Sequence, residues 1–207
     1  MLWIESVDAI KPKQLLDFFD RPDQGFCYCQ YWHVRCDQER WLAGDPAQNR
    51  DICARQLENR ELHGMAAVES DRVIGWLRMA PTVKIPKLYD QQLAPLRPDG
   101  KEWSVLCLVV AEERRGQGLG RSLVGGAVNW LRFNKVPAVK AYPRVPVAAL
   151  PPGPDGECPE GPGPRDAAGE WTGPLSLYVR MGFRLVRRGP QRWTVARNLQ
   201  SLTTPPG

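Results

Sequence analysis

At 207 residues, with 43% hydrophobic and 25% charged side chains, the chain is long enough for one well-filled core and short for two, so a single domain over residues 1–207 is expected. Its formal charge of +5 comes from basic residues interspersed with acids, which argues against a nucleic-acid partner and leaves the excess to serve an anionic ligand. No uncharged apolar run approaches the roughly 18 to 20 residues that cross a bilayer and the start lacks a leader-like basic and apolar block, so no membrane association and a cytoplasmic location are expected; the six cysteines read as reduced thiols.

Residues 3–10 mix apolar and polar side chains and read as a first strand. Residues 13–20 follow as a helix with Leu15, Leu16, Phe18 and Phe19 on one side, stopped by Pro22. Residues 25–36 (GFCYCQYWHVRC) hold Phe26, Tyr28, Tyr31 and Trp32, too many aromatics to leave in water, and are expected to pack beneath the fold. Cys27, Cys29, Cys36 and His33 crowd the same stretch, but C-x-C is not the usual C-x-x-C of zinc sites, so no metal is expected. Both histidines, His33 and His63, read as structural or surface residues. Residues 45–62 place Ile52, Leu57 and Leu62 at helix-compatible positions. Residues 64–69 and 73–79 flank the polar Ser70-Asp71-Arg72 and read as a β-hairpin. Residues 84–100, with Pro86, Pro95 and Pro98, read as a surface loop bordering a pocket.

Residues 105–135 (VLCLVVAEERRGQGLGRSLVGGAVNWLRFNK) organise the rest. Six uncharged apolar residues, 105–110, suit a strand buried on both faces, and Leu119, Leu123, Ala127 and Leu131 then recur at every fourth position as on a helix. Gly125-Gly126 inside that helix would cost about 1 kcal/mol each relative to alanine unless a strand packs close. Residues 138–142 make another strand, ended by Pro143. Residues 147–173 are too rich in proline and glycine for regular structure and read as an inserted flexible loop, with Cys158 exposed. Residues 174–181 read as a short helix opened by Pro174 and stopped by Gly182, and residues 183–187 and 192–197 as two closing strands joined at Gly189-Pro190.

Where the buried strand turns into the helix stand Arg115, Gly116, Gln117, Gly118, Leu119, Gly120 and Arg121. The first N–H groups of a helix lack intrahelical acceptors and carry the positive end of its dipole, and glycines let an anion approach them. A phosphate or pyrophosphate held by main chain is the expected ligand; a turn that binds nothing is the alternative. The P-loop pattern fails because Gly116 to Ser122 offers no lysine. The dinucleotide pattern fails because residues 136–141 lack an acid.

The remaining pattern, Arg115-x-x-Gly118-x-Gly120, resembles the acyl-CoA pyrophosphate loop of the Gcn5-related N-acetyltransferase (GNAT) superfamily. Leu177-Tyr178-Val179-Arg180-Met181-Gly182-Phe183 resembles the family's second hallmark, and Phe26 to Trp32, Glu102 to Val105 and Ala141-Tyr142-Pro143 are similar to a bacterial group within it. The resemblance implies an α/β fold, a central mixed and mostly antiparallel sheet flanked by helices, and acetyl transfer from acetyl-CoA to an amine. It implies that the backbone of Leu108, Val109 and Val110 pairs with pantetheine, that amides of residues 116–121 take the pyrophosphate, and that an N–H near Val109 polarises the thioester. It further implies Tyr178 as the acid toward the leaving sulfur and Glu102, on the same face as Ser104, as a base. Trp171 stands where many relatives carry a CoA-contacting asparagine, and Pro174 where alanine is usual. The acceptor would be a small-molecule amine in a pocket lined by Tyr31, Trp32, Trp76 and Tyr89, or a peptide in an open groove. A non-catalytic acyl-CoA-binding module is the third reading, and a second copy of the chain is a candidate partner.

Overall fold

Seven strands form one sheet in the order β1-β2-β3-β4-β5-β7-β6: β1 Leu2–Ser6, β2 His63–Glu69, β3 Arg72–Pro81, β4 Trp103–Val110, β5 Ala138–Ala141, β6 Arg184–Arg188 and β7 Trp193–Asn198. The computed structural model describes residues 1–24, 27–35, 40–41, 43–94, 100–144, 172–189 and 192–200. Neighbouring strands run antiparallel except β4 and β5, which run parallel. The sheet is therefore mixed and mostly antiparallel, as expected. The 147–173 segment lies outside the described residues apart from Thr172 and Gly173.

The hairpin turns where its sequence places polar residues. Ser70 and Asp71 have φ of 48° and 64°, the left-handed pair that matches strand twist in a two-residue connection. β1 is shorter than expected, because residues 7–9 form a 3₁₀ turn capped by the Ser6 hydroxyl. The helix after it, α1 (Pro12–Phe19), turns Leu15, Phe18 and Phe19 inward. α2 (Pro46–Glu58) starts where Asp45 caps the Ala47 N–H and ends four residues early, since Arg60 takes a left-handed φ of 56°. Residues 84–94 are not a plain surface loop. They include α3 (Pro86–Asp90), anchored by Ile85 and Leu88, both fully buried.

α4 (Leu119–Phe133) lies against β1 to β4 through Leu119, Leu123, Val124, Ala127, Val128 and Leu131. A Cβ on Gly126 would come within 2.6 Å of Ile4 Cγ2, whereas one on Gly125 would meet only Met181 Cε at 3.7 Å. Close strand packing thus accounts for the first glycine and not for the second. α5 (Leu175–Arg180) is the short helix before the last hairpin, with Gly182 at φ 78° as its stop. The other face of the sheet carries α1 and the aromatic stretch: Tyr28, Tyr31 and Trp32 are buried, Tyr31 edge-on to Trp32 and Trp41, which meets the expectation for that segment; Phe26 lies outside the described residues.

Candidate active site

β4 and β5 diverge. β5 pairs only with residues 103–105 of β4, and among the described residues no strand pairs with residues 106–110 on that side. β3 covers the opposite edge throughout, with Trp76 opposite Val109 and Gly75 opposite Val110. The Ala111 N–H goes to the Ile74 carbonyl, so by the alternation of an antiparallel ladder the peptide groups of Val109 face β3 and those of Leu108 and Val110 face the open side. The amides beside Val109, rather than its own, are therefore available to a ligand in the cleft. An irregularity in the β3–β4 register leaves Leu106 without an opposite residue between Val105 and Cys107. It sends Trp103 and Val105 to the α4 face, and Ser104, Cys107 and Val109 to the α1 face.

The open edge runs into the glycine corner. Gly116 and Gly118 have φ of 75° and 85°, and a Cβ on either would meet nothing within 4 Å. The corner is open on that side, with Arg115, Gln117 and Arg121 exposed around it. Among the described residues, none of the N–H groups of residues 116–120 meets a protein acceptor, whereas Arg121 and Ser122 both give theirs to the Gly118 carbonyl. Five consecutive amides with nothing to bind is what an anion site requires. Arg115 folds back so that its Nε donates to the Val110 carbonyl at 3.2 Å, tying the loop to the strand end. Gly120, Leu108 and Leu177 pack together where α4 begins.

Tyr178 is fully buried on α5, edge-on to Phe183. Its hydroxyl donates to the Thr172 carbonyl at 2.6 Å, and burial raises its pKa, keeping the phenol protonated. Thr172 and Gly173 lie against β4: a Cβ on Gly173 would sit 2.9 Å from Leu108 Cδ2 and 3.4 Å from the Tyr178 hydroxyl. The structure thus brings Tyr178 to the cleft strand. Glu102 stands at the other end of β4, half-buried and paired with Lys140 at 2.7 Å. Beside it Ser104 Oγ lies 2.9 Å from the Tyr142 hydroxyl and 2.8 Å from Thr82 Oγ1, while burial, with lesser help from the Glu102 charge, raises the Tyr142 pKa. Lys140, Tyr142, Thr82 and Thr172 escaped the sequence reading because only the parallel pairing of β5 and the return of the chain at residue 172 bring them here.

On the α1 face a small cavity of about 10 Å³, room for about one water, is lined by Phe19, Gln24, Cys27, Tyr28, Cys29, Cys107 and Val109. Gln24 Oε1 is buried there without a partner among the described residues. The expected aromatic pocket is not what lines it. Tyr31, Trp32 and Trp76 are core residues, and Tyr89 is half-buried beside Thr82. His33 Nε2 accepts from Arg78 Nη2 at 3.1 Å, and burial together with the Arg78 charge lowers its pKa to about 4, so the ring is neutral. His63 packs against Trp103 and Trp130.

A profile of the acetyltransferase (GNAT) family matches residues 26–146, more than half of the chain. The chain belongs to the acetyltransferase (GNAT) family. It is accordingly an acyl-CoA-dependent acetyltransferase. Solved GNAT structures share its fold across nearly its whole length. With yncA from Salmonella typhimurium, solved with its cofactor acetyl-CoA, the TM-score is 0.56 at 10% identity over 100% of this chain and 98% of that one. With the paia N-acetyltransferase of Thermoplasma acidophilum in complex with coenzyme A it is 0.53 at 10% identity, over 96% and 99%. With Arabidopsis thaliana NAA60 in complex with acetyl-CoA it is 0.52 at 16% identity, over 96% and 98%. No curated protein matches the chain.

Proposed function

We propose that this GNAT enzyme acts as one domain over residues 1–207 in the cytoplasm and transfers the acetyl group of acetyl-CoA to the primary amine of a small molecule, by direct attack in a ternary complex. The observation that carries this reading is that, among the described residues, β4 has no strand beside it at residues 106–110 and the amides of residues 116–120 that continue this edge have no protein acceptor. An extended thioester arm fits the first as an added strand, and a diphosphate fits the second. Leu108 and Val110 would hold the arm by main chain, with Val109 shaping the α1 side. Residues 116–121 would hold the phosphates, Arg115 and Arg121 adding charge. When bound, the coenzyme supplies an acyl group activated as a thioester.

The chain's own groups would do the rest. An amide of Leu108 or Val110 is placed to polarise a carbonyl in the cleft. Tyr178, kept protonated by burial, would give its proton to the departing sulfur, exchanging its bond to the Thr172 carbonyl. Glu102, with one buried oxygen lacking a partner among the described residues, would take the proton of the amine through a solvent chain past Ser104 and Tyr142.

Thiol release from acetyl-CoA, measured across a panel of small amines and peptides, tests this. Turnover with small amines and none with peptides is expected. Binding of acetyl-CoA without turnover on any acceptor would overturn the catalytic reading, and turnover confined to peptides would overturn the acceptor class.

A further inference from the structure

The chain leaves the core at Ala111, which is fully buried, and returns to it at Leu119. No residue from Glu112 to Gly118 is buried. Apolar packing therefore does not fix the direction of the 3₁₀ turn Glu112–Arg114 that carries the chain from β4 to the glycine corner. Any rotation of that turn swings the amides of residues 116–120 away from the ligand they would face. Inside the turn the Arg114 and Arg115 N–H groups go to the Ala111 and Glu112 carbonyls, and Gln117 Nε2 donates to the Glu113 carbonyl at 3.1 Å.

The turn is also held from outside, on two sides. Arg114 Nη2 donates at 2.8 Å to Glu69 Oε1, at the end of β2. Arg21 and Asp23, just past α1, hold the other side. Arg21 Nη2 donates to both carboxylate oxygens of Glu113, at 2.9 and 2.8 Å. Asp23 Oδ2 accepts the main-chain N–H of Glu112 at 3.3 Å. That N–H opens the turn and needs an acceptor, which Ala111, at the cap position, has no side chain to supply. Asp23 thus caps the turn from a distant part of the chain. Its carboxylate is aimed by Arg21 Nε at 2.9 Å and Gln24 Nε2 at 2.6 Å. By charge alone, carboxylates a few residues from a diphosphate site oppose an anion, so any help from Asp23 and Glu113 must come through geometry.

We propose that Arg21 and Asp23 are positioning residues for the coenzyme: they hold the Glu112–Arg114 turn so that the amides of residues 116–120 converge on the diphosphate, with Glu69 bracing the turn from the hairpin side. They act through the turn rather than by touching the coenzyme. The role rests on the coenzyme reading given above. The side chains of Arg21 and Glu113 are 33% and 57% exposed, so breaking their pair costs the fold little and the variants should stay folded.

The test is calorimetric titration of the full chain with coenzyme A, the wild type beside Arg21→Gln, Glu113→Gln, their double variant and Asp23→Ala. Charge and position predict different signs. Arg21→Gln removes a positive charge, whereas Glu113→Gln and Asp23→Ala each remove a negative one, so charge alone weakens binding in the first and tightens it in the other two. Loss of the clamp weakens all three. Each single variant is expected to raise the Kd about three- to fivefold, and the double variant no more than the worse of its two singles, since both break the same pair. In steady state the KM for acetyl-CoA should rise in step, while kcat and the KM for the amine stay within about twofold. Unchanged or tighter binding in Glu113→Gln or Asp23→Ala would overturn the positioning role. No saturable binding to the wild type would overturn the coenzyme reading and the positioning role with it.

Discussion

Tyr178 illustrates how a side chain can serve both packing and chemistry. Its phenol is buried against Phe183 and satisfies the carbonyl of Thr172, itself nearly fully buried. Tyr178→Phe therefore leaves a buried acceptor unpaired, at a cost of about 1 to 3 kcal/mol. If the phenol is the acid, the same change should lower turnover by roughly 100-fold with little effect on the affinity for acetyl-CoA. Steady-state kinetics beside a denaturant titration separates the two effects; unchanged turnover would leave Tyr178 a purely structural residue. His33 makes a prediction of the opposite kind. Its folded pKa of about 4 lies below the ordinary 6.5, so the unfolded chain binds the proton more readily. Stability from the neutral ring is complete above about pH 6.5 and is lost as pH falls through about 4, up to ~3 kcal/mol. Urea midpoints across that range should decline in the wild type and decline less in His33→Gln. A flat profile would contradict the burial assigned to the ring.

The two glycines in the middle of α4 separate propensity from packing. Gly125→Ala adds a methyl group in ordinary contact with the end of a flexible methionine and should stabilise the protein by about 0.5 to 1 kcal/mol. Gly126→Ala meets Ile4 at 2.6 Å and should destabilise by about 1 to 3 kcal/mol despite the same gain in helix propensity. Thermal melts of the two variants should move in opposite directions; movement together would mean that α4 does not press on β1. Periodicity found this helix because one face is apolar for its whole length, and it found the hairpin because alternation breaks at Ser70 and Asp71. It could not separate Gly125 from Gly126, since that depends on which strand the helix crosses. Residues 84–94 misled for a related reason: prolines suggested a loop, while Ile85 and Leu88 are anchors whose burial depends on distant chain.

At the scale of the whole molecule, the glycine corner proposed to hold the coenzyme could be read from the sequence, and the surroundings of the β4 cleft could not. Gly116, Gly118 and Gly120 sit in one continuous strand-loop-helix segment, so chain order alone brings the amides together. Arg78 meets His33, and Cys29 meets the same small cavity as Cys107, from separate segments whose spacing does not announce it. The same holds for Glu102 and Lys140, joined only by the parallel pairing of β4 and β5. Gly118→Glu places a carboxylate on the open side of the loop and should abolish coenzyme binding while the circular dichroism spectrum stays native. The most direct measurement is hydrogen exchange of the wild-type chain with and without coenzyme A. Slowed exchange at the amides of Leu108 and Val110 and of residues 116–120, lost in Gly118→Glu, is the expected result; saturable binding that leaves those amides unprotected would contradict the site.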